Sequence, residues 1–320
     1  MTLKEDLIIG MKTDREDYWF SRLNCIAVDD DGNIYTLDPK DIKIRVFDAK
    51  GILLRNLGRK GQGPGEFTIP SWMDITPQKT IVVKDIANGR ISFLTLEGKS
   101  LRDISAGGLA LVGLKVDHKG FFYSYKTEVG YNPVDELCKF DQDLKPIVKF
   151  HSFANPRKPG VINPYPAKFF YGLTKEDNLV WIVSLEYQIF VVDAIGKTVR
   201  KIIKEYTPAK ITEKDKERFT KSDAARRSPI QIKYEFPENY PAVDGLFLDD
   251  RDRIYIKTFE KDGKGGIYYD VFDPDGRYFA RFSLPETDRI TIVKNNKIYC
   301  MIQESAEGVP LVKRYAVEWK

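Results

Sequence analysis

The chain has 320 residues, of which 42% are hydrophobic and 12% aromatic, and this supplies enough apolar surface for a layered core. Lysine and arginine total 51 against 47 acidic residues, and the net charge of +4 is too small for this length to indicate a nucleic-acid partner. No run of about 18 apolar residues occurs, so no membrane-spanning helix is predicted.

The first complete module, residues 25–67, predicts four short antiparallel strands. Ile26 and Val28 alternate in the first strand, and the acidic and glycine residues at 30–33 suit a tight hairpin turn. The second strand follows at residues 34–37. The third and fourth are expected at residues 42–47 and 52–57. Four strands in about 35 residues make one propeller blade.

The pairing of an apolar strand, a polar hairpin and a second apolar strand recurs along the whole chain at a fixed offset. Its six copies are Val28 to Tyr35, Ile75 to Val82, Val116 to Tyr123, Leu173 to Val180, Leu248 to Tyr255 and Ile292 to Tyr299. Repeats of this length indicate a propeller. The sequence therefore predicts an all-β, six-bladed β-propeller with four-stranded blades, forming a single domain over residues 1–320.

The two ends of the chain each hold part of a blade. The sequence stops after a third strand at residues 312–319, while residues 3–10 precede the first module without a partner. Gly10 followed by Phe20 mirrors Gly58 followed by Phe67. We predict that residues 3–9 complete blade six and close the ring, which leaves no open blade between first and last. The alternative is a frayed polar N-terminus.

The loop Gly58-Arg59-Lys60-Gly61-Gln62-Gly63-Pro64-Gly65-Glu66-Phe67 leads into an apolar strand, and D-x-x-G-x-I-Y and F-D-x-x-G patterns occur in the same module. This combination resembles the NHL-repeat class, and the whole chain resembles bacterial six-bladed propellers of the TolB-like superfamily. The stretch at residues 236–241 is similar to one often seen there. The resemblance implies the fold. It leaves function open, since such families include lyases, lactonase-like enzymes, sensor domains and propellers without assigned activity.

Two insertions interrupt the repeat. Residues 152–170 contain four prolines and are expected to lie over one mouth of the ring. Residues 207–240, between blades four and five, include a segment at 212–227 that predicts a helix capped by Thr212. Its bases outnumber its acids. This charge indicates either a solvated helix face or a positive potential from Arg226 and Arg227 for an anionic ligand.

Two segments, one rich in glycine and one rich in aspartate, are predicted to form turns or loops and not ligand sites. The glycines at 61, 63 and 65 suit a crossing between blades, because a phosphate cradle would need a helix after them and a strand follows. The aspartates at 29–31 suit a hairpin, because the glycine and glutamate positions of an EF-hand loop are not matched. The three cysteines, Cys25, Cys138 and Cys300, are expected to be buried free thiols.

Few catalytic arrangements fit this sequence. Only two histidines occur, so a zinc site built on several histidines is excluded, and a Ser-His-Asp triad would need His118 or His151, both expected at the surface. The positions expected to face the channel hold small or apolar residues, so no metal ion is predicted on the axis. Asp74, Asp244 and Asp288 lie near the starts of the inner strands and are the alternative metal ligands. The assigned channel positions are Ala27, Met73, Leu114, Gly172, Leu246 and Thr291.

Aromatic and basic residues gather in the crossing loops, which a propeller places on one face. For Trp72 the alternative role is a wedge between blades. The predicted ligand-binding residues at the channel mouth are Tyr18, Arg59, Lys60, Trp72, Tyr165, Phe169, Arg226, Arg227 and Tyr240. No catalytic and no metal-binding residue is predicted.

We expect a monomeric, noncatalytic binding module for a protein, peptide or glycan, acting without a cofactor. The alternative is a lactonase-like hydrolase or lyase with a divalent cation such as Ca²⁺ in the channel, and nucleic-acid binding through residues 212–233 is disfavoured. The resemblance also implies export to the periplasm or cell surface. No signal peptide is evident, and the polar start fits a start codon added after a leader was removed.

Overall fold

The computed structural model describes residues 1–11, 15–127, 133–156, 158–220 and 233–319, apart from the side chain of Arg218. Within these ranges the chain forms six four-stranded antiparallel sheets and one short parallel pair of strands. The predicted six-bladed propeller with four-stranded blades is therefore confirmed. No helix among the described residues is both long enough and apolar enough to cross a membrane.

The chain starts with strand β1 (Thr2–Ile9), and a short 3-10 turn at Glu16–Tyr18 leads into the first blade. Blade one contains β2 (Cys25–Val28), β3 (Ile34–Asp38), β4 (Lys43–Phe47) and β5 (Leu53–Leu57). Blade two contains β6 (Pro70–Ile75), β7 (Thr80–Asp85), β8 (Arg90–Thr95) and β9 (Ser100–Ser105). Blade three contains β10 (Leu111–Val116), β11 (Phe122–Thr127), β12 (Val134–Phe140) and β13 (Pro146–Ala154).

The second half of the chain carries the insertions between its blades. Strand β14 (Val161–Ile162) precedes blade four, which contains β15 (Phe169–Leu173), β16 (Leu179–Val183), β17 (Gln188–Val192) and β18 (Thr198–Ile203). Helix α1 (Glu213–Thr220) and strand β19 (Lys233–Tyr234) precede blade five, which contains β20 (Gly245–Leu248), β21 (Ile254–Lys261), β22 (Ile267–Phe272) and β23 (Tyr278–Leu284). Blade six contains β24 (Arg289–Lys294), β25 (Lys297–Ile302) and β26 (Leu311–Glu318).

The ring is closed by its first strand, as predicted. Strand β1 pairs antiparallel with β26, from Thr2 opposite Glu318 to Ile9 opposite Val312. Asp6 of β1 also accepts a hydrogen bond of 2.8 Å from Nε of Arg314 in β26. This strand supplies the outer edge of blade six, so all six blades have four strands.

Two glycines show why the crossing loops at the start of blades one and two are equivalent. Gly10 and Gly58 both have positive φ, at 104° and 79°. A Cβ atom on Gly10 would lie 2.7 Å from the ring of Phe20, and one on Gly58 would lie 2.8 Å from the ring of Phe67. Each position therefore needs glycine both for its backbone angle and for the close approach of a buried aromatic ring.

In blades one to five, a buried tyrosine and an aspartate of the first hairpin occur together or are absent together, whereas blade six keeps the buried Tyr299 with Val293 in place of the aspartate. In blades one, three and five an aspartate of the first hairpin accepts a hydrogen bond from a fully buried tyrosine six residues later, because a buried hydroxyl needs a partner. In blades two and four the same positions hold threonine and valine, so hydroxyl and carboxylate are lost together. The three pairs are Asp29 with Tyr35 (3.2 Å), Asp117 with Tyr123 (3.4 Å) and Asp249 with Tyr255 (3.0 Å).

Carboxylates at the ends of the second strands hold the crossing loops in place. Asp38, at the end of β3, accepts hydrogen bonds from the backbone N–H groups of Ser21 (2.8 Å) and Arg22 (3.2 Å). Asp85, at the end of β7, does the same for the incoming loop of blade two. These bonds fix where each inner strand enters the ring, and therefore which side chains face the axis.

Helix α1 begins at the predicted place. Thr212 caps it: the backbone N–H of Asp215 donates to Oγ1 of Thr212 at 3.3 Å, and the carboxylate of Asp215 accepts from the backbone N–H of Thr212 at 2.9 Å. This is the reciprocal pattern of a capping box with aspartate in place of glutamate. The predicted continuation of the helix to residue 227 lies outside the described residues.

Candidate functional site

A cavity of about 750 Å³ occupies the central channel. We name the ends of the channel by the turns that surround them. The hairpin face carries the turns between the first and second strand of each blade, and the loop face carries the crossing loops and both insertions. The cavity reaches from Trp72, Lys168 and Phe169 near the loop face to the turns of the hairpin face. Its volume lies in the range typical of small-ligand sites.

The inner strands bring more polar side chains to the cavity than the sequence predicts. Counting one residue back from the repeat anchors in blades two and three gives Asp74 and Lys115, and both line the cavity. Of the expected residues, Gly172, Leu246 and Thr291 line the cavity, whereas Ala27, Met73 and Leu114 are buried in the core. The assignment of Met73 and Leu114 was wrong because it took the residue two before the anchor in these blades, and side chains of a strand alternate in direction.

Asp74 and Lys115 form an ion pair between blades two and three. Nζ of Lys115 lies 2.6 Å from Oδ2 of Asp74, and the side chains remain 40% and 26% exposed, respectively. Oδ1 of Asp74 also accepts a hydrogen bond of 2.9 Å from the backbone N–H of Ile75, which orients the carboxylate. The pair places a cation and an anion side by side in a cavity that a ligand can enter.

Aromatic rings make up much of the remaining wall, from Trp72, Tyr125, Phe169, Phe170 and Phe247. Phe169 is almost fully buried and packs between Phe153 (centroids 4.7 Å apart) and Tyr125 (5.9 Å). Trp72 contacts the core between blades two and three and also faces the cavity. Of the residues predicted to bind a ligand, Trp72 and Phe169 therefore line the channel.

Two other predicted residues meet each other outside the cavity. The rings of Tyr165 and Tyr240, from the two insertions, lie 4.8 Å apart, and Tyr240 stacks on Phe259 at 4.6 Å. Burial, together with hydrogen bonds involving Tyr165 and Asp215, raises the pKa of Tyr240. Strands β14 and β19 pair in parallel beside these rings. We call this group the insertion cluster: Tyr165, Phe219, Tyr234, Phe236, Tyr240 and Phe259.

The remaining predicted residues lie elsewhere. Tyr18 packs edge-on against Phe47, with ring centroids 5.7 Å apart, and its hydroxyl accepts a hydrogen bond from the backbone N–H of Leu53. Arg59 is exposed and pairs with Glu66 at 2.8 Å. Lys60 is exposed in the same crossing loop. Arg226 and Arg227 lie outside the described residues.

The turns of the hairpin face are linked to one another around the whole ring. These contacts, which we call the turn belt, surround the end of the cavity. The turn belt could not be predicted from the sequence, because its contacts depend on the distance between neighbouring blades. The links are Lys79 to Asp30 (3.2 Å), Gln78 to the carbonyl of His118 (2.6 Å), His118 to Asp177 (2.8 Å), the N–H of Lys175 to Asp252 (2.9 Å), Arg253 to Asn296 (3.4 Å) and Lys294 to Asp30 (2.9 Å).

Groups with catalytic potential are engaged in packing or ion pairs. His151 stacks on Trp181 with centroids 4.9 Å apart, and burial lowers its pKa. The cysteines are unpaired, as predicted, and burial raises the pKa of Cys25 to about 12. Asp244 pairs with Lys257 at 2.5 Å, and Asp288 pairs with Lys313 at 3.1 Å. In the described ranges, no three His, Cys, Asp or Glu side chains group so as to hold a metal ion.

Solved structures of similar shape share little sequence with this chain. A candidate exported protein from Bacteroides fragilis NCTC 9343 has a TM-score of 0.60 at 11% identity, covering 99% of this chain and 96% of the other. A DUF4221 protein from Bacteroides vulgatus has a TM-score of 0.55 at 11% identity, with coverage of 100% and 99%. A gluconolactonase from Xanthomonas campestris has a TM-score of 0.52 at 11% identity, with coverage of 93% and 87%. At this identity the similarity shows the fold alone.

No curated protein gives a significant match to the sequence. One family model matches residues 9–283, which include the first five blades and the end of the strand that closes the sixth. Its description, a 6-bladed beta-propeller, agrees with the architecture described above. The chain belongs to this family of six-bladed β-propellers, DUF5128.

Proposed function

We propose that this protein is a noncatalytic binding module and that its ligand enters the central cavity. The observation that carries the proposal is the cavity itself, about 750 Å³ in volume, with aromatic side chains and the Asp74–Lys115 pair in its wall. Ligand sites commonly combine an apolar lining with a few fixed polar groups. Because much of the wall comes from inner strands that are each held by their blade, we propose that the site is formed before the ligand arrives.

The ligand in this proposal is a glycan, a peptide or an exposed segment of a protein. Trp72 and Phe169 contact it inside the channel, and the insertion cluster with Tyr165 and Tyr240 supports the neighbouring crossing loops. Arg59, Lys60, Arg226 and Arg227 are proposed contacts for the part of a longer ligand that projects from the loop face. Tyr18 is left out of this set, because its ring packs on Phe47 at the hairpin-face end of β4. A monomer suffices for this arrangement, since one ring contains the whole cavity.

A variant that fills the channel tests the proposal. Val112 lines the cavity with an exposed side chain, so Val112→Trp should block the channel without changing the core. Leu101→Trp is the matched control, because Leu101 is also exposed and lies on β9, the outer strand of blade two. We expect the native protein to capture members of a glycan array or a displayed peptide library, Val112→Trp to lose this capture at least about tenfold, and Leu101→Trp to keep it. Equal capture by Val112→Trp would place the site elsewhere.

The rival function is an enzyme, a lactonase-like hydrolase or a lyase, that holds a divalent cation in the channel. Melting curves in Ca²⁺, Mn²⁺ and Zn²⁺ separate the two, since an ion that binds only the folded state raises the melting temperature. A rise with one ion, together with turnover of a lactone, would favour the enzyme. The binding module predicts no such turnover.

We also propose a relation to NHL-repeat propellers and an exported location. The glycine-rich loop at residues 58–67 supports the first. The second draws on the candidate exported protein of similar fold. Fractionation of the native host with an antibody against the propeller tests the location, and recovery in the cytoplasm alone would contradict it.

A further inference from the structure

Three side chains of blades two and three stand together in the cavity. Trp72 and Asp74 are two residues apart in β6, where the pairing with β7 is unbroken from Trp72 to Ile75. Their side chains therefore leave the strand on the same side, while Met73 between them is buried. Lys115 reaches Asp74 from the next blade at 2.6 Å. The result is an aromatic surface beside one cation and one anion.

The ion pair has hydrogen-bonding capacity left for a ligand. A carboxylate offers about four lone-pair positions, and an ammonium group offers three donors. Asp74 accepts from Lys115 and from the backbone N–H of Ile75, so a further acceptor position remains beside the other protons of Lys115. A pair of adjacent hydroxyl groups fits this arrangement, because one hydroxyl donates to Asp74 while its neighbour accepts from Lys115.

The ion pair favours a neutral ligand at this subsite. Asp74 and Lys115 neutralise each other, and a ligand carboxylate or amine would compete for one member of the pair. The other member would then stand in a partly closed cavity without its counter-charge, which is unfavourable. Neutral hydroxyl groups avoid this cost, since they bond to both members while the pair stays intact.

Building on the proposed function of the cavity, we propose that this subsite binds a neutral sugar ring. The apolar C–H face of a pyranose packs on the indole of Trp72, and two adjacent hydroxyls bond to Asp74 and Lys115. Large aromatic side chains provide rigid contact area of this kind. The equivalent positions of the other blades hold Ala27, Gly172, Phe247 and Thr291, which have no charge, so the subsite belongs to blades two and three alone.

Calorimetric titration with defined sugars tests the subsite. The probes are glucose, galactose, mannose, maltose and cellobiose, with glucuronate as the anionic and glucosamine as the cationic comparison. We expect at least one neutral sugar to bind more tightly than both charged probes. Asp74→Asn should weaken the binding of that sugar at least about tenfold, which is the loss typical of a hydrogen bond to a charged group. Trp72→Ala should weaken it by a similar factor, because it removes the aromatic surface under the sugar ring. Asp74→Asn keeps the side-chain volume and carries the test if Trp72→Ala fails to fold.

Asp244→Asn is the matched control. Asp244 forms a similar pair with Lys257 at 2.5 Å but does not line the cavity, so sugar binding should be unchanged. Tighter binding of glucuronate or glucosamine, or no binding of any probe at millimolar concentration, would overturn the sugar subsite. If peptides are then captured and Val112→Trp abolishes that capture, the cavity remains the ligand site and only the sugar assignment falls. If Val112→Trp captures as well as the native protein, the proposed function falls too.

Discussion

The two faces of the ring are made from the same repeat, but their turns are held in different ways. On the hairpin face the turns recur at nearly the same offset, so neighbouring tips meet and bond around the ring in the turn belt. On the loop face the crossings differ in length, and the insertions before β15 and β20 bond mainly to each other. Regular spacing therefore allows the turns to bond to one another at the hairpin face. At the loop face, the length and sequence of the crossing loops differ from blade to blade.

This difference indicates how such a ring can acquire a specific ligand. We expect a crossing loop to tolerate changes of length, because Asp38 and Asp85 bond to the backbone at the ends of these loops and not to their middles. Binding residues commonly occur on loops that a rigid scaffold positions. The following predictions test the contrast between the two faces, beginning with the largest expected effect.

Asp249→Ala should damage the hairpin face severely. Asp249 is buried, and its carboxylate accepts from Nε of Arg253 at 2.6 Å and from the hydroxyl of Tyr255 at 3.0 Å. Its loss leaves the buried cation of Arg253 without its counter-charge and removes the acceptor of the buried Tyr255 hydroxyl, so we expect the free energy of unfolding to fall by about 3–5 kcal/mol. Urea denaturation measures this. Asp31→Ala, in an exposed turn position, is the control, and equal losses in both variants would contradict the prediction.

Tyr240→Ala should weaken the loop face by a smaller amount. The ring contacts Tyr165 and Phe259, and its partial burial predicts a loss of about 2 kcal/mol. We also expect a protease to cleave the insertion before β20 more rapidly. Limited proteolysis that identifies the first cleavage site measures this. Tyr240→Phe keeps the ring and should lose less than half as much. If the first cleavage sites lie on the hairpin face, Tyr240→Ala destabilises that face too, and the prediction is wrong.

A mild pH dependence should come from His151, near the loop-face end of β13. Partial burial against Trp181 lowers the pKa of His151 below its ordinary value of 6.5, so the folded state takes up this proton at a lower pH than the unfolded chain does. The unfolded chain then binds the proton first, and the stability present above pH 6.5 is lost as the pH falls through 6.5 toward the lower folded value. Urea titrations between pH 7.5 and about 5 should show a smaller decline for His151→Gln than for the native protein. Identical declines would assign the effect to other groups.

The fold could be predicted from the sequence because its determinants are local. Alternating apolar residues, turn chemistry and a fixed repeat define each blade, and the surplus strand at one end matches the deficit at the other. The glycine before Phe20 and the glycine before Phe67 even mark equivalent crossings. Each blade signal lies within about fifty residues of chain, and only the closure of the ring requires a comparison of the two ends.

The candidate site could be predicted only in part. Asp74 and Lys115 were within reach of the sequence, since a constant offset from Ile75 and Val116 selects them. The turn belt and the contact between Tyr165 and Tyr240 were not, because both depend on the rotation and spacing of neighbouring blades. Such distances between distant segments are set by packing, which no local pattern encodes.

The pairing of β1 with β26 has a consequence for orientation. Thr2 lies opposite Glu318, so the first and last described strands have their free ends side by side. These ends lie on the hairpin-face side of blade six, because outer strands start there and third strands finish there. A tether joined to either end would therefore attach at the hairpin face, and the loop face would point away from the point of attachment.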